Sequence, residues 1–497
     1  MPRVAASFLP PIVLDRASPA PMYRQLYEWF RRSIIEGRLR PGQRVPSTRG
    51  LATELGISRI PVLGAFEQLL AEGYLEAFVG AGTCVARSIP DEGLRAAAAG
   101  TRARGQEPGE RRALRRVSRR GARVAQASPH PWTSILGPFR ATLPALDAFP
   151  AEVWGKIVAR HARRPPPSMM AYGDAKGYLP LREAIAEYLG VARAVQCDAS
   201  QVLVTTGSQL ALQLAAQVLL DPGDRVWVEE PGYPGARLAF AAAGARLVPV
   251  SVDPDGLDVS PHIRRGGAVR AAYITPSHQY PMGMTMSAAR RIALLNWAAR
   301  SGMWIIEDDY DSEYRFESRP VASLQGQDED GRVLYIGTFS KVLFPSLRLG
   351  YMVVPRDLVS AFAAVRDATD IFSSVLYQAA MTDFIREGHF ARHLRRMRML
   401  YMERREALAG AIRAQMGDVL EVVGTEAGMH FVALLPPGTD DVAIAMEAAR
   451  RGVSVIPLSS CYLRPPSRGG LILGFGGAPG AHLASAVGTL RQCVAAG

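Results

Sequence analysis

From about Pro131 onward the sequence alternates short apolar runs with longer helical segments, and this pattern restricts the fold more than any other feature. The runs are Val202–Thr205, Arg225–Glu229, Arg246–Val250, Ala271–Thr275, Met303–Glu307 and Val333–Gly337. Each is short enough for a strand and apolar enough to be buried on both faces, and the helices between them supply the cover. A large, mainly parallel α/β sheet is therefore expected, with a smaller α+β subdomain from Gly428, where such runs thin out. At 497 residues and 48% hydrophobic content the chain exceeds one ordinary domain and can bury a large core. No stretch of about 18 apolar residues lacks a charge or a breaker, so a membrane span is not expected. The segment Met1–Arg16 lacks the pattern of a secretory signal. Cys84, Cys197, Cys461 and Cys493 follow no metal or disulfide spacing, which suits a reducing cytoplasm.

The net charge of +12 is unevenly placed. Residues 1–87 hold 11 basic and 7 acidic side chains, and residues 88–128 hold 10 arginines and 4 acids. The basic excess thus sits in the first quarter, which points to a polyanion partner there. Residues 18–87 read as a helix from Met22 to Ile35, a short helix Thr48–Leu55 with Ser47 as N-cap, and a third helix started by Ser58 and ending near Gly73. The segments Tyr74–Val79 and Thr83–Ala86 then alternate around the tip Gly80-Ala81-Gly82. Helix, helix–turn–helix, hairpin is the order of a winged helix–turn–helix. Residues 88–128 are dominated by Ala, Arg and Gly and read as a flexible linker. Their arginine pairs, Arg111-Arg112, Arg115-Arg116 and Arg119-Arg120, recur every four residues, so a basic helix formed on a polyanion is the alternative. Residues 129–497 form the large domain.

Ligands of such sheets bind beyond the carboxyl ends of the strands, and four of these ends carry polar clusters. Thr206-Gly207-Ser208-Gln209 opens a helix, where free N–H groups favour a phosphate, although ordinary caps use the same residues. Glu307-Asp308-Asp309-Tyr310 brings carboxylates out of a buried strand, either as helix N-caps or for chemistry. Gly337-Thr338-Phe339-Ser340-Lys341 is followed by Arg348. Glu230-Pro231-Gly232-Tyr233 offers an aromatic ring, and Arg237 follows it as a candidate for a carboxylate. The chain has only three lysines, Lys156, Lys176 and Lys341, and arginine stays protonated, so Lys341 stands out as a reactive amine. Lys156 and Lys176 read as solvated surface residues. A lysine, a carboxylate and a phosphate cradle on three strand ends are the set that pyridoxal 5'-phosphate requires.

The motifs PSTRGLATELGISR (46–59), TPSHQYPMG (275–283), IEDDYDSEYR (306–315) and GTFSK with PSLRLGY (337–351) occur in this order. The chain resembles the MocR/GabR family of bacterial transcriptional regulators, in which a GntR-type winged helix is fused to a fold-type I aminotransferase-like domain. The resemblance implies a Schiff base at Lys341, Asp308 on the pyridine nitrogen, Tyr310 on the ring hydroxyl and Tyr233 stacked on the ring. It implies Thr206, Gly207, Ser208, Gln209, Thr338 and Arg348 around the phosphate, with Tyr172 reaching a neighbour's phosphate across a domain-swapped homodimer. Arg49 and Arg59 match arginines that the family uses on DNA, and Arg44, Ser47, Ser58 and Gly80 join them as candidates. Two positions depart from the pattern. Ile472 stands where many aminotransferases hold the substrate-carboxylate arginine, leaving Arg237, Arg464 or Arg468 for an effector carboxylate. Ile60-Pro61 replaces the Asn-Thr that relatives more often carry at the start of the recognition helix.

The resemblance implies a cytoplasmic regulator that binds double-stranded operator DNA and responds to an amino compound or to pyridoxal phosphate itself. An active aminotransferase with an accessory DNA-binding domain is the alternative, since Lys341, Asp308 and Tyr310 suit both. The winged helix, the basic N-terminal quarter and Ile472 favour the regulator. No metal site is expected.

Overall fold

The computed structural model describes residues 9–15, 18–78, 82–88, 117–126, 136–141, 143–316 and 321–496. The chain divides into two compact units, Met1–Arg115 and Arg116–Gly497.

The first unit is a winged helix–turn–helix made of α1 (Met22–Ile35), α2 (Thr48–Leu55), α3 (Arg59–Ala71), β1 (Leu75–Phe78) and β2 (Gly82–Val85). Leu26, Phe30 and Ile34 recur at helical spacing on α1 and are buried against Leu51, Val62, Phe66 and Leu69 of the other two helices. The rings of Phe30 and Phe66 meet edge to face at 5.3 Å. Truncating such a residue to alanine costs about 3–5 kcal/mol, so Phe30→Ala alone threatens a core this small. The Ser47 hydroxyl accepts from the Gly50 N–H at 3.1 Å and caps α2 as expected. Ser58 occupies the N-cap position of α3, but its side chain makes no cap hydrogen bond. The wing is antiparallel with Phe78 opposite Gly82, and its tip, including Gly80, lies outside the described residues.

The second unit is built on an eight-stranded sheet: β3 (Val202–Thr205), β4 (Arg225–Glu230), β5 (Arg246–Asp253), β6 (Gly256–Leu257), β7 (Ala271–Ile274), β8 (Trp304–Asp309), β9 (Val333–Thr338) and β10 (Gly350–Val353). The spatial order is β3-β10-β9-β8-β7-β4-β5-β6. Strands β9, β8, β7, β4 and β5 are parallel, whereas β10 runs antiparallel to both β3 and β9. Successive residues enter different cores. Ile305 packs in one cluster and Ile306 in another, as do Val204 and Leu203 on β3. Both faces are therefore dry, which is why these strands read as continuous apolar runs. A four-stranded antiparallel sheet, β11 (Glu421–Val423), β12 (His430–Leu434), β13 (Ile456–Pro457) and β14 (Gly470–Gly474), forms the C-terminal subdomain in the order β11-β12-β14-β13.

Part of the 88–128 stretch is helical rather than coil. Ser118 accepts from the Gly121 N–H at 3.0 Å, and the helix Arg119–Gln126 contacts the helix Pro234–Ala243. The pairs Arg111-Arg112 and Arg115-Arg116 lie outside the described residues. No helix among the described residues is long and apolar enough to cross a membrane.

Candidate functional site

A cavity of about 210 Å³ opens at the carboxyl ends of β7, β8 and β9. Its lining includes Ser208, Gln209, Tyr233, Asp308, Tyr310, Thr338, Lys341 and Arg348 from the residues singled out in the sequence. At one end the helix Ser208–Leu219 begins at Gly207, whose φ of 87° and ψ of 171° belong to a region nearly restricted to glycine. A Cβ there would stand 3.0 Å from Arg348 Nη1, so glycine lets the guanidinium approach the helix start. Arg348 Nη2 donates to the Thr206 carbonyl at 2.6 Å. Free N–H groups, the Ser208 hydroxyl and a guanidinium thus converge at a helix N-terminus, an arrangement suited to a phosphate.

At the other end, three consecutive acids close β8 and divide their work. Buried Glu307 accepts from the Leu324 and Gln325 N–H groups at 2.8 and 2.9 Å. Asp309 pairs with the buried Arg193 at 2.7 Å and accepts from the Tyr335 hydroxyl. Asp308 faces the cavity: Oδ2 accepts from the Tyr273 hydroxyl at 2.8 Å, and buried Oδ1 has no hydrogen-bond partner among the described residues. None of the three caps a helix, because a bend and not a helix follows β8. Burial pushes the Asp308 carboxyl up to about 7, with the Tyr273 hydrogen bond opposing. An orphaned buried carboxylate oxygen is costly unless a cationic donor meets it.

Lys341 follows β9 in a turn, and burial lowers its amine from 10.5 to about 8. Tyr233 starts the helix Pro234–Ala243, and its ring meets Tyr280 edge to face at 5.6 Å. The Tyr310 hydroxyl lies 3.0 Å from His278 Nδ1, which is 2.9 Å from Asp311 Oδ1. Tyr273, Thr275, Tyr280 and Ser340 also line the cavity, though sequence reasoning gave them no role. The signal for Tyr273 and Thr275 is their alternation along β7 and the residue after it, which puts both on one face beside Asp308. An orphaned carboxylate, a desolvated amine and a glycine cradle fit pyridoxal phosphate.

Other residues singled out in the sequence lie outside the cavity lining. The Thr206 hydroxyl donates to Asp370 at 2.6 Å, and its carbonyl holds Arg348 at the helix start. Arg468 donates to the Leu435 carbonyl and pairs with Glu421 at 2.6 Å, at the opposite end of β14 from the His430 pairing. Arg237 is buried and donates to the Ser460 carbonyl at 2.9 Å, while Arg464 is exposed. None of these three arginines is among the residues that line the cavity. Ile472 is fully buried with Tyr280 and Tyr310. Tyr172 does not line the cavity of its own chain and is 86% exposed.

In the first unit, Ser47 and Arg49 stand at the start of α2, and Ser58 and Arg59 at the start of α3, all exposed. Arg59 Nε donates to the Thr48 hydroxyl at 3.1 Å, tying the two helix starts together. Arg44 lies beside the wing, with its Nη2 2.9 Å from where a Cβ on Gly82 would stand.

Residues 22–85 match the model of the bacterial regulatory proteins of the gntR family, and residues 150–471 match aminotransferase class I and II. The chain is 41% identical to a probable rhizopine catabolism regulatory protein, MocR, of Rhizobium meliloti, over 97% of this chain and 95% of the relative. It is 30% identical to the pyridoxine biosynthesis transcriptional regulator PdxR of Corynebacterium glutamicum, over 94% of each. Among solved structures it is similar to kynurenine aminotransferase of Pyrococcus horikoshii, with a TM-score of 0.68 and 27% identity over 78% of this chain and 97% of that one. The α-aminoadipate aminotransferase LysN of Thermus thermophilus aligns with a TM-score of 0.70 and 27% identity, over 76% of this chain and 97% of that one. The chain therefore belongs to the MocR-type transcriptional regulators, in which a gntR-family winged helix–turn–helix is joined to an aminotransferase class I and II domain.

Proposed function

We propose that this DNA-binding regulator holds pyridoxal phosphate through Lys341 and changes its operator binding when an amino compound, or the cofactor itself, occupies the cavity. The observation that carries this reading is the meeting of Lys341, the unpartnered Asp308 Oδ1 and Arg348 in one cavity of a chain that also carries a winged helix. When bound, pyridoxal phosphate supplies an aldehyde that condenses reversibly with primary amines. Lys341 is the resident amine. Asp308 would hold a proton on the ring nitrogen, Tyr310 would address the ring hydroxyl, Tyr233 would cover the ring face, and Ser208, Gln209, Thr338 and Arg348 would receive the phosphate. With the cofactor bound, an effector amine would compete with Lys341 for that aldehyde, and a freed Lys341 side chain would be the local change that biases the domain arrangement.

The protein acts as a cytoplasmic homodimer in this reading. Tyr172 is supported as a cross-subunit phosphate ligand by its exposure beside Phe372, with ring centroids 6.2 Å apart, in a region where Met170, Leu179, Ile371 and Tyr377 are also exposed. Arg44, Ser47, Arg49, Ser58 and Arg59 form the DNA contact set. Aminotransferase turnover is the second reading, supported by the same Lys341, Asp308 and Tyr310. The deciding experiment titrates the purified protein with candidate amines, with and without 2-oxo acids, following visible absorbance and operator affinity together. Regulation predicts an amine-dependent change in both signals with no sustained turnover. Steady oxo-acid consumption without any change in operator affinity would replace it with the enzyme reading.

A further inference from the structure

The recognition helix is apolar on two sides. Val62, Ala65, Phe66 and Leu69 pack into the core of the winged helix. The opposite face carries Ile60, 79% exposed, and Leu63, 40% exposed, one turn apart, between Arg59 and Glu67. Large apolar side chains exposed opposite a helix's core face mark a side that a partner can cover. Here the uncovered side begins at the first turn of α3, the part of a helix–turn–helix that meets base edges in the major groove.

We propose that Ile60 and Leu63 read thymine by packing on its C5-methyl group. The occupant of this face is duplex DNA because the exposed charges at the two helix starts, Arg49 and Arg59, are both positive and suit a polyanion. Within the groove, an isoleucine side chain cannot donate to or accept from a base, and the thymine methyl is the one major-groove feature that rewards apolar contact. Side chains one turn apart stand about 5–6 Å from each other, which spans adjacent or next-adjacent base pairs at about 3.4 Å rise. Pro61 supports the arrangement at no hydrogen-bond cost, because the N–H it lacks belongs to the first turn, where no helical partner exists. Arg59 remains the hydrogen-bonding group of this turn, held toward α2 by Thr48.

The inference rests on the winged helix binding DNA, and its test separates the two. Operators are selected from random duplexes with the full-length, cofactor-loaded protein. Each thymine of the selected site is then replaced, one at a time, by deoxyuridine, which differs only in lacking the methyl. Burial of one methyl predicts about a fourfold loss of affinity at one or two positions per half-site. Ile60→Ala should bind the thymine operator about as weakly as wild type binds the uridine one, with its thymine preference gone and its salt slope unchanged. Ile60 is exposed, so the variant keeps its fold, which its thermal melt checks. Ile60→Asn should move the selected base at that position toward adenine, which asparagine reads in bidentate fashion. Equal affinity for thymine and uridine at every position, or a thymine preference that survives in both Ile60→Ala and Leu63→Ala, overturns the inference. Selection of no site at all would instead overturn sequence-specific DNA binding.

Discussion

The hydroxyl of Tyr310 stands 3.0 Å from His278 Nδ1, a nitrogen that also lies 2.9 Å from Asp311 Oδ1. A carboxylate can only accept, so Nδ1 carries the proton that Asp311 binds. The Tyr310 oxygen then accepts from the same N–H and keeps its own proton to donate into the cavity. His278 is thus a positioning residue for Tyr310. His278→Phe keeps the ring volume and removes the donor. Tyr310 thereby loses its buried N–H donor, which predicts about a tenfold weaker hold on pyridoxal phosphate. Equilibrium dialysis reads the affinity, and the visible band of the bound cofactor should shift in the same variant. An unshifted band would place His278 outside the site.

Gly207 and Arg348 make the next prediction. Gly207→Ala forces a side chain into a backbone region that costs about 1–3 kcal/mol and pushes on the guanidinium. The cost should appear as a lower melting temperature without cofactor. Affinity for inorganic phosphate and for pyridoxal phosphate should fall together, because the damage lies at the phosphate end. Affinity for phosphate-free pyridoxal should change little.

Most of the sheet and part of the site were legible, and the boundary has physical causes. Strands buried on both faces leave continuous apolar runs, so β3, β4, β5, β7, β8 and β9 could be read directly. Lys341 stood out because it has only two rivals among the lysines. Strand β10 hides inside the GTFSK–PSLRLGY motif, and nothing local says that it runs antiparallel to its neighbours. Asp308 was found, but Tyr273 and the His278–Asp311 pair depend on the register of β7 with β8, which no single segment encodes. Arg193 meets Asp309 from 116 residues away. The arginines of Arg119–Gln126 suit both a solvated linker and a basic helix, so composition alone could not choose the helix found there.

That distant pair is itself testable. Arg193 and Asp309 are both nearly inaccessible, and Arg193 also donates to the Ser277 hydroxyl at 2.7 Å. Among the described residues, Arg193→Met leaves the buried Asp309 carboxylate with the Tyr335 hydroxyl alone, which predicts a loss of about 3–5 kcal/mol in the large unit. Adding Asp309→Leu removes the stranded charge and should recover most of that loss. Urea unfolding monitored on the large unit measures both. A double variant no better than the single one would show that Asp309 does more than pair with Arg193.

The lowered basicity of Lys341 predicts how loading depends on pH. Burial disfavours the ammonium, Asp311 and Asp308 oppose, and the charge of Arg140 adds to the lowering, leaving the amine near 8. Only the neutral amine attacks an aldehyde, so loading speeds up as pH rises through that value. Between pH 7 and 9 the rate should grow about tenfold and then level off, whereas an ordinary lysine would gain about a hundredfold and keep rising. Stopped-flow absorbance of cofactor-free protein mixed with pyridoxal phosphate records the profile. A rate still climbing at pH 10 would mean that Lys341 is solvated before loading.

Tyr172 supplies the test of assembly. Its side chain is exposed and absent from the cavity of its own chain, so its role at a phosphate requires a second copy. Tyr172→Phe protein keeps Lys341 but lacks the tyrosine, and Lys341→Ala protein keeps the tyrosine but lacks the amine. Each alone should bind pyridoxal phosphate weakly. When the two are unfolded together and refolded as a mixture, the mixed dimer pairs one intact Lys341 cavity with the other subunit's Tyr172. About one site in four should then recover tight binding, since half the dimers are mixed and each restores one of its two cavities. Sedimentation of the mixture establishes the dimer mass in the same samples. If Tyr172 served the cavity of its own chain, no combination of the two variants would place it with Lys341, and tight binding would stay absent at every mixing ratio.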